Sequence, residues 1–110
     1  MVEPDSAKIA TLNDHARRTF TECRVMITNG IDQLDGPVIS GILQAVQAFN
    51  QFTADNDPYG EHDFGCVKVA GHTVFWKWDY YDLDLKMHSP DPADPAVTAR
   101  VLTIMLADEY

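Results

Sequence analysis

Residues 64–82, FGCVKVAGHTVFWKWDYYD, constrain the fold more than any other stretch of the chain. Two runs rich in valine, threonine and aromatic residues flank Ala70-Gly71, the pattern of an antiparallel hairpin. Side chains alternate between the two faces of a strand. Val74, Trp76, Trp78 and Tyr80 therefore share the likelier core face, opposite Thr73, Phe75, Lys77 and Asp79. Two registers fit. A two-residue loop sets His62 opposite Asp79, and a three-residue loop with Gly71 as a bulge shifts the pairing by one step and reverses the faces.

Around this hairpin the chain, 110 residues long, reads as one globular domain. Asp5 or Ser6 caps a helix running to about Phe20, with Ile9, Leu12, Ala16 and Phe20 on its apolar face. In ECRVMITNG, Cys23, Val25 and Ile27 alternate with polar or outward residues, which predicts a strand closed by a turn at Asn29-Gly30. Pro37 opens a second helix with a broad apolar stripe of Val38, Ile39, Ile42, Leu43, Val46 and Phe49. HSPDPADP is a loop, and Asp94-Pro95 reads as the start of a last helix that buries Val97, Val101, Ile104 and Met105. The expectation is an α+β domain of order α-β-α-β-β-α, three helices with a small antiparallel sheet.

The charge is distinctive. Seventeen acids face eight lysines and arginines, a net −9. Residues 55–94 alone hold nine acids against three lysines, together with seven of the eleven aromatic residues. Direct binding to a phosphate backbone needs a basic surface, so nucleic acid is excluded as an expected partner, and a protein with a basic surface fits better. No apolar run reaches the roughly 20 residues of a membrane helix. The opening MVEPDSAK lacks the features of a secretory signal. A cytoplasmic location is expected, with Cys23 and Cys66 as free thiols.

DNDPYGEHDFG, residues 55–65, is the densest cluster of functional groups. As an EF-hand calcium loop it fails, which leaves a different hard-cation site from Asp55, Asp57 and Glu61 as the alternative to a plain turn. Asp55, Asp57 and Gly60 match the EF-hand pattern, but Tyr59 and Cys66 occupy positions where a ligand and the closing glutamate belong. The four histidines show no zinc-type spacing, and no phosphate loop, nucleophile elbow or dinucleotide fingerprint is present, so no cofactor is expected. As structure the stretch is coherent: Asp55, Asn56 and Asp57 close turns through their side chains, Pro58 sets φ and Gly60 permits a positive one.

LNDHARRT, AFNQFTADNDPYGEHDFG, FWKWDYYD and SPDPADPAVTARVLTIMLADEY together resemble a family of small bacterial proteins of unknown function. That family is common in alphaproteobacterial genomes and often lies near plasmid and other mobile-element genes. The resemblance spans nearly the whole chain. It implies a bacterial cytosolic protein and favours accessory roles, such as blocking host defences, over core metabolism.

The leading expectation is a non-enzymatic acidic binding protein, an inhibitor of anti-CRISPR or antirestriction type, in which carboxylates stand in for phosphates on a basic partner. Its binding face would comprise Asp55, Asp57, Tyr59, Glu61, Asp63, Phe75, Asp79, Tyr81, Asp82 and Asp84, aromatic anchors with steering charges. The competing expectation is a small enzyme or metal-dependent hydrolase centred on His62, Asp63 and Asp79. A third use of the same aromatic face is a homodimer interface, and helices covering both faces of the sheet would make those aromatics core.

Overall fold

In the computed structural model, which describes residues 4–110, the hairpin adopts the two-residue register. Strands β2 (Phe64–Val69) and β3 (His72–Tyr81) pair Val69 with His72, leaving Ala70 and Gly71 as the loop. Both loop residues are left-handed, at φ 51° and 82°. That is the primed turn whose twist matches antiparallel strands, and glycine tolerates it at no steric cost.

Helix α1 spans Pro4–Thr19 and buries Ile9, Ala10, Asn13 and Ala16 along one side. Phe20 ends it in a left-handed conformation. Strand β1 (Arg24–Ile27) leads into a single helical turn, α2 (Asn29–Asp32), and then α3 (Gly36–Ala48), which carries Pro37 in its first turn. Helices and strands thus form an α+β domain with three helices.

The last helix expected from Asp94-Pro95 is a strand. The Asp94 carboxylate does accept the Ala96 N–H at 2.9 Å, but it caps only one 3-10 turn, Pro95–Val97. Thr98 is already extended, and β4 runs from Ala99 to Leu106. The near-continuous apolar run VLTIML, with its β-branched residues, suits a central strand. Its helix-like spacing is a by-product of that continuity. The sheet is therefore mixed rather than antiparallel. Its order is β1-β4-β3-β2, with β1 parallel to β4 and the other neighbours antiparallel.

One face of this sheet is the core. Val74, Trp76 and Trp78 of β3 and Leu102 and Ile104 of β4 pack with Ala16, Ile31, Ile42 and Val46 from the helices. Gly65 on β2 faces Trp76, and a Cβ there would collide with the indole, so β2 has room for no side chain at that point.

The register sets the other face. Arg24, Val101 and Asp79 lie in one row across it; Met26, Thr103, Lys77 and Phe64 form the next; Met105, Phe75 and Cys66 form a third. Among the described residues no α-helix packs there, and Met26 is 54% exposed. The C-terminal turn reaches over this face and sets Tyr110 edge-on to Phe64 and Phe75, at 5.9 and 5.6 Å between ring centres.

Candidate functional site

The loop between α3 and β2 is built as its turn chemistry predicts. The Asn56 side chain accepts the Thr53 N–H at 2.8 Å and donates to the Gln51 carbonyl at 2.9 Å. Gly60 is left-handed at φ 71° and donates its N–H to the Asp57 carbonyl. Asp57 itself is buried, its carboxylate accepting the His62 N–H at 3.1 Å.

His62 leaves the strand geometry at φ 55°, and its ring turns inward, away from the partner its register suggests. Nδ1 lies 2.9 Å from the Asp14 carboxylate and Nε2 lies 3.6 Å from that of Asp57. The ring stacks on Phe52, 3.9 Å between centres and 1° from parallel. Asp14 also receives Arg17 at 3.0 Å. The Arg17 side chain is fully buried, donates to the Val46 and Gln47 carbonyls, and lies over the Trp76 ring at 4.9 Å. A second cluster adjoins it. Asn13 donates to the Glu61 carbonyl and to the Tyr80 hydroxyl, and its own carbonyl accepts from Arg100. Tyr80 donates to the Glu61 carboxylate at 3.0 Å and lies under the Arg100 guanidinium. Burial pushes the Tyr80 hydroxyl and the Glu61 carboxyl above their usual ranges.

These contacts fasten the acidic loop to α1 and the sheet. They also give His62 and Asp79 partners other than each other. Asp79 is held by Lys77 at 2.9 Å, and both nitrogens of His62 face carboxylates. Among the described residues, no three histidines, cysteines or acids are placed to hold a metal ion. Asn13, Asp14, Arg17 and Arg100 escaped the sequence reading. The available signal was a polar residue in an apolar stripe: Asn13 falls between Ile9 and Ala16 on the buried side of α1.

On the open face lies a hollow of about 360 Å³, lined chiefly by Tyr59, Asp63, Phe64, Lys77, Asp79 and Tyr110. Tyr59 and Tyr110 are 71% and 74% exposed. Phe64 and Phe75 are in contact at 5.3 Å. The Asp63 main-chain carbonyl accepts the Trp78 N–H, which anchors the residue beside β3. Burial raises the Asp63 carboxyl above its usual range, and the neighbouring acids Asp57 and Asp79 add to this. Asp79 also borders a second hollow of about 320 Å³ with Tyr81 and His88.

The structure thus gathers Tyr59, Asp63 and Asp79 around one hollow, with Phe75 beside it and Tyr81 across Asp79. Asp55 and Asp84 are exposed on loops, and Asp82 accepts the Lys86 N–H within a tight turn. Asp57 and Glu61 do not belong to the exposed face: both are held by the clusters beneath the loop. The open face is also less acidic than expected, since Arg24, Lys68 and Lys77 share it with Asp79. Phe64 and Tyr110 were missed because strand register and the C-terminal fold-back bring them there; the sequence sets Lys77 on the face of Asp79 but not in the site.

The domain is therefore a two-layer α+β protein with helices on one sheet face and an aromatic hollow on the other. It belongs to the DUF3768 family, proteins of unknown function, whose model matches residues 27–109. No curated protein and no solved structure matches the chain at a significant level. No helix of the described residues is long and apolar enough to cross a membrane.

Proposed function

We propose that this protein is a non-enzymatic binding module whose open sheet face engages a basic site on a partner protein. The observation that carries the reading is the contrast in satisfaction. The histidine that a catalytic scheme would need is already engaged by two carboxylates and a phenylalanine, while Tyr59 and Tyr110 stand exposed around two carboxylates on the other side. Exposed aromatic anchors beside charges are the parts of an interface hot spot. The net charge of −9 steers basic partners toward the molecule and speeds their encounter. Within that class, the partner we propose is a nucleic-acid-handling defence protein of CRISPR or restriction type, whose phosphate-binding groove these carboxylates would occupy.

Capture of partners from a bacterial host with active defence systems tests this, with wild type compared with Tyr59→Ala/Asp79→Lys at low and moderate salt. The expected result is a nucleic-acid-handling protein that is held by wild type, weakened by salt and lost from the double variant. Equal capture by the variant would place the interface elsewhere.

A further inference from the structure

Resting on that reading, we infer that the hollow between Tyr59 and Tyr110 is a receptor for an arginine side chain of the partner, held over the aromatic rings and against Asp63 and Asp79. Three observations lead there.

The first is charge. The hollow contains two carboxylates and one amine, and the amine of Lys77 is taken by Asp79. Among the described residues Asp63 forms no ion pair. A cation entering the hollow meets an unpaired carboxylate already partly withdrawn from water, where ion pairing is stronger than at an open surface.

The second is shape. At about 360 Å³ the space lies at the small end of ligand sites, which run from about 300 to 1,000 Å³. That suits a single side chain better than a cofactor. Its walls are aromatic faces and edges from Tyr59, Phe64 and Tyr110. A guanidinium is planar, stacks on such rings and offers paired N–H donors to a carboxylate, whereas an ammonium offers a point charge.

The third is internal precedent. Beneath the helices this fold twice assembles an aromatic ring, an oxygen acceptor and a guanidinium. Arg17 lies over Trp76 with Asp14 at 3.0 Å, and Arg100 lies over Tyr80 at 5.4 Å with Asn13 at 2.9 Å. The outer hollow has the rings and the acceptors, and the guanidinium is the member to come from outside.

The probe is the capped tripeptide acetyl-Gly-Arg-Gly-amide, titrated into the full chain and followed by amide chemical shifts. Its controls are the citrulline and lysine analogues. Citrulline keeps the shape and removes the charge. The expected result is saturable binding that moves the signals of Asp63, Phe64, Lys77 and Tyr110. Arginine should bind at least about tenfold more tightly than citrulline and measurably more tightly than lysine. Tyr59→Ala, at an exposed position that leaves the fold intact, and Asp79→Asn should each weaken it several-fold. Equal binding of citrulline, or shifts confined to other surfaces, would overturn the inference. So would a concentration-dependent dimer that shifts the same signals without peptide, since a second copy would then fill the hollow. If the tripeptide fails while Tyr59→Ala/Asp79→Lys still abolishes partner capture, the arginine assignment falls and the binding reading stands.

Discussion

The two sides of the sheet handle the same chemical parts differently. Under the helices, Arg17 and Arg100 are each matched with a ring and an oxygen acceptor, and His62 is matched with two carboxylates. On the open side, rings and carboxylates collect around a hollow with one amine, itself already paired. A polar cluster closed on itself contributes to architecture. It holds a long acidic loop in one shape. A cluster left open to solvent with its aromatic residues exposed is where a partner can gain contacts the free protein lacks. The comparison teaches that the chemically richest cluster, around His62, already satisfies its own groups, and on the proposed reading it serves as scaffold while the plainer outer surface binds.

The largest expected effect breaks the scaffold. Arg17→Ala would remove one of the two partners of Asp14, a donor to the Val46 and Gln47 carbonyls and the buried group over Trp76, and should cost about 3–5 kcal/mol in urea unfolding. Gly65→Ala comes next. The new methyl group would meet the Trp76 indole, and overpacking of that kind should cost about 1–3 kcal/mol, read as a lower unfolding midpoint with an unchanged slope.

The pH dependence sharpens the comparison between the two carboxylates that border both regions. Glu61 and Asp63 are raised from ordinary values of 4.5 and 3.8, chiefly by burial. The folded state then holds their protons more tightly than the unfolded state does. Their contribution to stability should be greatest below those ordinary values and fall as the pH climbs through the raised ones. Asp63→Asn should flatten that fall and be at least as stable as wild type at neutral pH, measured by denaturation from pH 3 to about 7. The smallest expected effect on stability is that of Tyr59→Ala, within about 0.5 kcal/mol of wild type because the side chain is exposed. That variant should nonetheless lose partner binding, and a large loss of stability would show Tyr59 to be part of the scaffold instead.

Much of the fold was legible where local chemistry decides it. The alternation of Val74, Trp76, Trp78 and Tyr80 and the glycine at position 71 are properties of neighbouring residues, and the hairpin and its core face followed from them. β4 was misread because a nearly continuous apolar run satisfies helical and strand spacing alike, and the Asp94-Pro95 cap is real but lasts one turn. The site was legible only in part for a different reason. Tyr59, Asp63 and Asp79 stand out by type and position, yet Tyr110 reaches them only because the chain folds back after β4. Asp57 and Glu61 look like surface acids in the sequence. Tyr80 turns Glu61 inward from β3, and Asp57 is held by its neighbour His62, whose ring is fixed in turn by Asp14, far away along the chain.

The measurement that tests the central claim most directly is hydroxyl-radical footprinting of the free protein against its captured complex. The account predicts that Tyr59, Tyr110 and Cys66, all exposed in the free chain, become protected together, while Met87, exposed on the turn after β3 and outside the hollow, keeps its reactivity. Unchanged labelling of Tyr59 and Tyr110 in a stable complex would contradict it, and would move the interface away from the open face of the sheet.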